Sequence, residues 1–103
     1  MFQFLKGLVG GADTDFKALV AEGAIIVDVR TPGEYQSGHI KGSLNIPVDA
    51  IRGKVAELKK KNKPVITCCR SGARSGMAKD ILSNAGITAY NGGPWNSLEK
   101  KML

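Results

Sequence analysis

Short runs of apolar residues recur along the chain, and between them apolar and polar residues follow each other at helical spacing. The run at 24–29 is broken only by Asp28, and continuous apolarity of this kind is typical of a strand buried on both faces of a parallel sheet. In chain order, the predicted strands are residues 2–9 (an edge strand or a loosely attached arm), 24–29, 43–46, 64–68 and 87–90.

Apolar residues at three- and four-residue intervals predict amphipathic helices between these strands. The first helix has Phe16, Leu19 and Val20 on one face, and Asp13 or Thr14 can cap its start. A second predicted helix is capped by Asp49 and has Ile51, Val55 and Leu58 on one face. A third is capped by Ser75, and its apolar face consists of Ala78, Ile81, Leu82 and Ala85. The remaining predicted elements are a helical turn at 34–37, a turn at 91–93 and a closing helix at 94–103. Strands that alternate with helices predict an α/β fold with a parallel sheet covered on both faces.

The length and charge of the chain restrict its class. The 103 residues are enough for one domain, 1–103, and not for two. The formal net charge of +6 favours small anions or acidic protein partners through long-range attraction, although a basic surface also serves solubility alone. The lysines concentrate at 59–63 without interleaved aromatic residues on which bases could stack, so we expect no nucleic-acid partner.

The two cysteines, Cys68 and Cys69, are adjacent and cannot join distant elements. Small secreted scaffolds have more cysteines, spaced apart, so a reducing compartment is favoured and we expect a cytoplasmic protein. No apolar run reaches membrane-spanning length, and the start of the chain, which has Lys6 inside it, is a poor signal peptide. No Cys/His/Asp cluster has metal-ligand spacing, and we expect a monomer without metal or cofactor.

The stretch from Cys69 to Ser75 carries the candidate chemistry. It follows a predicted buried strand, contains Gly72 and leads into a predicted helix. This arrangement points backbone N–H groups and the positive end of a helix dipole into the loop. A thiolate at the mouth of such a loop is stabilised by those donors and by Arg70 and Arg74, which lowers the pKa of the thiol. Cys69 is therefore a candidate nucleophile in an anion-binding cradle.

The loop sequence Cys-Arg-Ser-Gly-Ala-Arg-Ser resembles the active-site loop of the rhodanese family of sulfurtransferases. Three other stretches resemble motifs of that family and occur in the family's order: Asp-Val-Arg…Glu-Tyr at 28–35, Gly-His-Ile…Asn-Ile-Pro at 38–47 and Gly-Gly-Pro-Trp at 92–95. The resemblance covers the chain from about residue 16 to its end. It implies a rhodanese-like fold with a five-stranded, mostly parallel sheet flanked by helices on both faces, with 2–9 as one of the strands.

The resemblance also implies an activity, the transfer of sulfane sulfur from a small anionic donor such as thiosulfate. The acceptor would be cyanide, a thiol or a protein, and the sulfur would be carried as a persulfide on Cys69, the implied catalytic residue. The implied substrate-binding residues encircle that sulfur and are Arg70, Ser71, Gly72, Ala73, Arg74 and Ser75. Of the two arginines, Arg70 is the freer side chain and the better candidate to attract a sulfonate.

Two residues outside the loop, Asp28 and Arg30, are expected to support it. A buried carboxylate at the end of a strand needs a partner. The resemblance places Asp28 near the loop as the residue that orients Arg74. Arg30 is expected to form a structural ion pair with Glu34, and the only histidine, His39, is expected to belong to the scaffold.

Two other readings of the same residues remain open. Cys68 and Arg74 have the Cys-x5-Arg spacing of phosphatase loops, and some dual-specificity phosphatases share the rhodanese fold. Neighbouring residues of a strand point to opposite faces, so only one of Cys68 and Cys69 can face the loop. The second alternative is a binding or regulatory module, which rhodanese-like domains without the cysteine provide. The complete loop that begins at Cys69 favours the enzyme.

Overall fold

A computed structural model of the chain describes residues 14–103. Its helices are α1 (Phe16–Ala21), α2 (Pro32–Ser37), α3 (Ile51–Lys61), α4 (Ala73–Asn84) and α5 (Trp95–Lys101). Its strands are β1 (Ile25–Asp28), β2 (Leu44–Asn45), β3 (Val65–Cys69) and β4 (Ala89–Pro94), and a 3-10 turn at Val48–Ala50 precedes α3. The segment 2–9 and the candidate cap Asp13 lie outside the described residues.

The four strands form one sheet in the order β2-β1-β3-β4, and every neighbouring pair is parallel. The predicted parallel sheet is confirmed, but the described part of the chain supplies four strands where five were expected. The pairing of β1 with β3 places Asp28 opposite Cys68. The carboxyl ends of β1 and β3 therefore lie side by side, and the loops that follow them meet at one edge of the sheet.

Helices cover both faces of the sheet, as predicted, because the two central strands, β1 and β3, have buried side chains on both sides. One face is packed by α3 and α4, and its buried residues are Val27, Val29, Ile46, Ile51, Leu58, Val65, Cys69, Ala78, Leu82 and Ile87. The other face is packed by α1 and α5, and its buried residues are Phe16, Ile26, Ile40, Ile66, Cys68 and Leu98. The alternation along β3 thus separates the two cysteines, with Cys69 under α4 and Cys68 on the opposite face.

Two helices begin at other residues than those predicted. Asp15, not Asp13 or Thr14, caps α1, since its Oδ1 accepts from Ala18 N at 3.0 Å. Asp49 lies inside the 3-10 turn and does not cap α3, which is preceded by Ala50. Helix α1 is thus capped by a later aspartate than predicted, whereas α3 starts two residues after Asp49 and has no side-chain cap.

Two corrections concern the carboxyl edge of the sheet, where the candidate loop lies. Helix α4 begins at Ala73 and is preceded by Gly72, whose φ of 103° is accessible to glycine, so Ser75 lies in the first turn rather than at the cap. The predicted turn at 91–93 is wrong, because these residues belong to β4. Asn91 pairs with Thr67, and a register shift between Thr67 and Cys69 lets β4 continue past the Gly-Gly pair.

Candidate active site

The candidate nucleophile lies at the last position of β3, and the loop closes around its sulfur. Cys69 Sγ accepts from the backbone N–H of Gly72 at 2.9 Å and from that of Ser75 at 3.4 Å. The hydroxyl oxygen of Ser75 lies 3.3 Å from the same sulfur. The left-handed backbone of Gly72 turns the chain back over the strand, and the first turn of α4 directs its unpaired N–H groups at Sγ.

The acidity of Cys69 is set by two opposing effects. The residue is fully buried, and burial alone would raise the pKa of the thiol. Hydrogen bonds to the thiolate outweigh this effect, from the Ser75 hydroxyl, from Ser75 N, and from the N–H groups of Gly72 and Ser71, so the pKa of Cys69 lies below its ordinary value. The predicted direction of the shift is thus found, with N–H and O–H groups rather than arginine charge as its main source.

The side chains of the remaining loop residues form no hydrogen bond to the sulfur. Arg70, Ser71 and Ala73 are exposed, whereas Ser75 is fully buried. Ser71 reaches the sulfur through its backbone N–H only. The assignment of residues 70–75 as substrate-binding stays a prediction. In the structure, Gly72 and Ser75 lie at the sulfur, whereas the side chains of Arg70, Ser71 and Ala73 lie at the outer surface.

Arg74 points away from the sulfur and binds Glu34. Its Nη1 lies 2.8 Å from Glu34 Oε1 and its Nη2 lies 3.1 Å from Glu34 Oε2, a two-pronged ion pair between α4 and α2. The expectation that Asp28 orients this arginine is wrong. Glu34 is preset for the pair because it is the third residue of α2, where Oε1 also accepts from the N–H and the hydroxyl of Thr31.

The carboxylate of Glu34 is held in its charged form by this arrangement. The ion pair with Arg74 and, next, the backbone N–H of Thr31 lower the pKa of Glu34 from 4.5 to about 2. The guanidinium of Arg74 responds in the opposite direction, and its pKa is raised first of all by the bond to Glu34. The pair therefore neutralises the arginine that the sequence suggested as a second anion site.

Asp28 binds Arg30, and the expected pair between Arg30 and Glu34 is also wrong. Arg30 Nη2 lies 2.7 Å from Asp28 Oδ2 and Arg30 Nε lies 2.9 Å from Asp28 Oδ1, with both side chains buried. The same guanidinium donates to the carbonyl oxygens of Glu34 at 3.2 Å and Gly38 at 2.6 Å. Trp95 covers it at 4.8 Å. This cluster fixes the path of the chain around α2, and the supporting role expected of Asp28 and Arg30 stays a prediction.

His39 lies in the scaffold beside α2. Its Nδ1 donates to the carbonyl oxygen of Tyr35 at 2.7 Å, and its ring stacks on that of Tyr35 with centroids 3.7 Å apart. Both contacts tie the end of α2 to the following loop, as expected of a structural histidine.

Cys68 is a core residue on the opposite face of β3. It packs with Ile26, Ile66 and Leu98 and is fully buried. Burial and then the charge of Asp28 raise the pKa of its thiol to about 12. A thiol in this state is a poor nucleophile, so the geometry counts against a phosphatase loop that begins at Cys68.

Asn91 is a member of the site that the sequence analysis missed. Its Oδ1 lies 2.7 Å from Ser75 Oγ and accepts from Gly93 N at 2.9 Å, and its Nδ2 donates to Gly72 O at 3.3 Å. The residue was assigned to a turn because it precedes two glycines. Extending the strand at 87–90 by one residue along β3 would have placed Asn91 at the carboxyl edge, beside the loop.

Within residues 14–103, no group of three or more His, Cys, Asp or Glu side chains could hold a metal ion. No helix in that part of the chain combines the length and apolarity that crossing a membrane requires.

Comparison with known families gives one match over most of the chain: the model for the rhodanese-like domain matches residues 12–96. Among curated proteins, the thiosulfate sulfurtransferase PspE of Escherichia coli (strain K12) is 41% identical over 63 residues, which are 60% of this chain and 61% of the relative. A protein named sulfurtransferase from Allochromatium vinosum is 38% identical over 65 residues, which are 63% of this chain and 60% of the relative. The chain thus spans about three fifths of these two relatives.

Solved structures agree on the fold. An Escherichia coli rhodanese with bound anions superposes with a TM-score of 0.66 at 37% identity, over 72% of this chain and 89% of that one. The human single-domain sulfurtransferase TSTD1 superposes with a TM-score of 0.62 at 29% identity, over 82% of this chain and 89% of that one. The sheet with helices on both faces is therefore shared with proteins of known structure.

Proposed function

The chain belongs to the family of rhodanese-like domains, and on that premise we propose that it is a sulfurtransferase that carries sulfane sulfur as a persulfide on Cys69. The observation that supports this most directly is the convergence of the N–H groups of Gly72 and Ser75 on Cys69 Sγ. Such a ring of donors suits a sulfur atom that becomes negatively charged, first as a thiolate and then as the end of a persulfide. Relatives named thiosulfate sulfurtransferase and sulfurtransferase support the same class of reaction.

The first half of the reaction loads the cysteine. The thiolate of Cys69 attacks the outer sulfur of thiosulfate, a new S–S bond forms at Sγ, and the sulfur–sulfur bond of the donor breaks. The bonding pair leaves with sulfite. The enzyme then holds a persulfide anion, whose terminal sulfur lies one bond further into the loop and needs the donors that previously served the thiolate.

The second half returns the cysteine to its starting state. Cyanide, or a thiolate of a small molecule or a protein, attacks the terminal sulfur. The persulfide S–S bond breaks, and its electron pair returns to Cys69 Sγ. The lowered pKa of Cys69 serves this step as well, because a more stable thiolate is a better leaving group. No net oxidation occurs at the enzyme over the two steps.

Recruitment of the donor falls to Arg70 in this proposal. Arg70 is exposed on the loop, one residue after the nucleophile, and it can meet an anionic sulfonate before the sulfane sulfur reaches Sγ. Arg74 is held by Glu34 and contributes to loop geometry instead. The acceptor is proposed to be cyanide or a thiol, including a thiol of an acidic protein attracted by the net charge of +6.

The test is intact-mass measurement after incubation with thiosulfate, followed by cyanide, on wild type, Cys69→Ser and Cys68→Ser. We expect wild type and Cys68→Ser to gain one sulfur atom that cyanide removes as thiocyanate, and Cys69→Ser to gain none. A protein that gains no sulfur but hydrolyses an aryl phosphate through Cys68 would instead be a phosphatase. A protein that does neither would leave the binding module as the remaining class.

A further inference from the structure

The hydrogen-bonding direction of Asn91 in the candidate site is fixed by two backbone groups. The N–H of Gly93, which can only donate, lies 2.9 Å from Oδ1, and the carbonyl of Gly72, which can only accept, lies 3.3 Å from Nδ2. Oδ1 therefore faces Ser75 Oγ at 2.7 Å. Because an amide oxygen only accepts, the hydroxyl of Ser75 is the donor in that contact.

The Ser75 hydroxyl has one proton and three neighbours that could receive it. They are Asn91 Oδ1 at 2.7 Å, Gly72 O at 3.1 Å and Cys69 Sγ at 3.3 Å. Gly72 O already accepts from Gly76 N at 3.0 Å and from Asn91 Nδ2. The proton thus points at Asn91, and a lone pair of Oγ faces the sulfur, where it accepts from the S–H group of a protonated Cys69.

We propose that Asn91 is a positioning residue that turns the Ser75 hydroxyl away from the sulfur while Cys69 is a resting thiol, and that this hydroxyl rotates to donate to the sulfur when Cys69 ionises or carries sulfur. The inference rests on the proposed function and concerns the regulation of the same site. In the rotated state the Ser75 hydroxyl no longer donates to Asn91 Oδ1, and that oxygen still accepts from Gly93 N. The rotation moves no electrons. The proton of the thiol leaves to solvent, and the serine proton only changes the acceptor to which it points.

The consequence is that Asn91 favours the resting thiol. The bond between Ser75 and Asn91 is made while Cys69 is protonated and is lost when the hydroxyl serves the thiolate. Removal of the acceptor at position 91 removes a bond from the thiol state only, so the thiolate becomes easier to form. A role of Asn91 in merely holding the loop through Gly72 predicts the opposite, since a looser loop presents fewer donors to the sulfur.

Few charged groups of the surrounding elements act on this sulfur. Arg74 of α4 and Cys68 of β3 interact with the charge of Cys69, and Arg74 is already paired with Glu34. Asp49 and Arg52, in the 3-10 turn and α3 on the same face, are exposed. The β4 residue that reaches the sulfur through Ser75 is the uncharged Asn91, and the effect predicted for it is therefore one of hydrogen-bond direction.

The test measures how the rate of alkylation of Cys69 by iodoacetamide depends on pH, with the modified cysteine located by peptide mass. The variants are Asn91→Leu, which keeps the branching of the side chain at Cγ and removes both polar groups, Ser75→Ala, and the double variant. With Ser75 present, we expect Asn91→Leu to lower the midpoint of the profile by roughly 0.5 to 1 pH unit, which is about threefold to tenfold more thiolate below both midpoints. When Ser75→Ala is already present, we expect the addition of Asn91→Leu to leave the midpoint of the profile unchanged.

A second variant, Asn91→Asp, keeps an acceptor for Ser75 and adds negative charge, so we expect it to raise the midpoint. Three results would each overturn the proposal. The first is an unchanged or raised midpoint in Asn91→Leu, and the second is a midpoint that Asn91→Leu lowers equally with and without Ser75. The third is a lowered midpoint in Asn91→Asp. Alkylation does not require sulfur transfer. A chain that fails to load sulfur but shows the expected pattern would therefore refute the proposed function alone.

Discussion

Glu34 and Arg74, which are 40 residues apart in the chain, form a two-pronged ion pair that joins the first turn of α2 to the first turn of α4. The distances of 2.8 and 3.1 Å match the parallel geometry of a guanidinium on a carboxylate. The start of α4 also presents its N–H groups to Cys69. The pair thus ties the loop that follows β1 to the loop that holds the nucleophile.

Substituting Glu34→Gln tests the contribution of this pair to stability. Glutamine at this position can keep the capping contacts with Thr31 while it loses the charge. Because the pKa of Glu34 is lowered from 4.5 to about 2, first of all by Arg74, the pair stabilises the fold fully above pH 4.5 and is lost as the pH falls through about 2. In urea unfolding, we expect the variant to be less stable than wild type at neutral pH.

That difference in the free energy of unfolding should narrow as the pH falls from 4.5 towards 2, where wild type loses the same charge. The matched control is Glu57→Gln, which removes a carboxylate from the exposed pair with Lys54 at 3.7 Å. A stability difference for Glu34→Gln that stays constant over this pH range would show that the charge of Glu34 is not its cause.

The fold was predictable because burial is visible in the sequence of the central strands of a covered parallel sheet. All five residues of β3 are buried, and in the sequence Thr67 alone interrupts the apolar run. Helices α1, α3 and α4 were visible as apolar stripes because each packs one of its faces against the sheet. The alternation predicted that only one of Cys68 and Cys69 faces the loop, and the resemblance of the loop sequence to the rhodanese family assigned that place to Cys69.

The ion pairs were not predictable, because they depend on how short helices dock. Arg30 binds Asp28, two residues earlier, and Glu34 binds Arg74, whereas the sequence suggested a pair between Arg30 and Glu34. Asn91 was hidden for a different reason. Asn-Gly-Gly is a turn signal, and pairing with β3 overrides that local preference.

The buried pair of Asp28 and Arg30 predicts a large stability loss when one partner loses its charge. Asp28 is fully buried and Arg30 is 5% exposed, so Asp28→Asn leaves a guanidinium charge without its counter-ion. We expect a loss of about 3–5 kcal/mol in the free energy of unfolding. The exposed Asp80→Asn serves as control and should change stability by less than about 0.5 kcal/mol. Similar small losses in both variants would mean that Arg30 is satisfied without Asp28.

The two cysteines are predicted to differ sharply in reactivity despite being neighbours. The pKa of Cys69 is lowered by its hydrogen bonds, whereas burial and Asp28 raise the pKa of Cys68 to about 12. At any given pH a larger fraction of Cys69 than of Cys68 is therefore ionised, and iodoacetamide should modify Cys69 alone in the folded protein at neutral pH. In urea, both should react at similar rates. Modification of Cys68 in folded Cys69→Ser would contradict the assignment of the nucleophile.

Gly92 is predicted to tolerate no side chain. A Cβ at this position would lie 2.9 Å from Ile66 Cγ2, Leu98 Cδ2 and Thr67 O, and the last of these is backbone that cannot move aside. We expect Gly92→Ala to cost roughly 1–3 kcal/mol of stability and, because β4 must shift, to reduce sulfur transfer as well. Gly53→Ala is the matched control, since no atom lies within 4 Å of its Cβ on α3.

The control should stabilise the protein by about 0.5–1 kcal/mol, because alanine restricts the unfolded chain and favours the helix. Thermal unfolding of both variants gives the comparison. Equal effects of the two substitutions would mean that β4 packs less closely on β3 than the structure shows.

Arg70 is predicted to govern the affinity for an anionic donor without taking part in the chemistry. Among residues 14–103, no carboxylate lies within 4.0 Å of its guanidinium, so its charge is available at the loop, whereas that of Arg74 is neutralised by Glu34. We expect Arg70→Ala to raise KM for thiosulfate roughly threefold to tenfold with little change in kcat, and the difference to shrink as salt is added. Lys60→Ala, at the far end of α3, removes the same charge and should leave KM near the wild-type value. A fall in kcat with unchanged KM in Arg70→Ala would place this arginine at the reacting sulfur instead, because only an interaction made in the transition state alone has that signature.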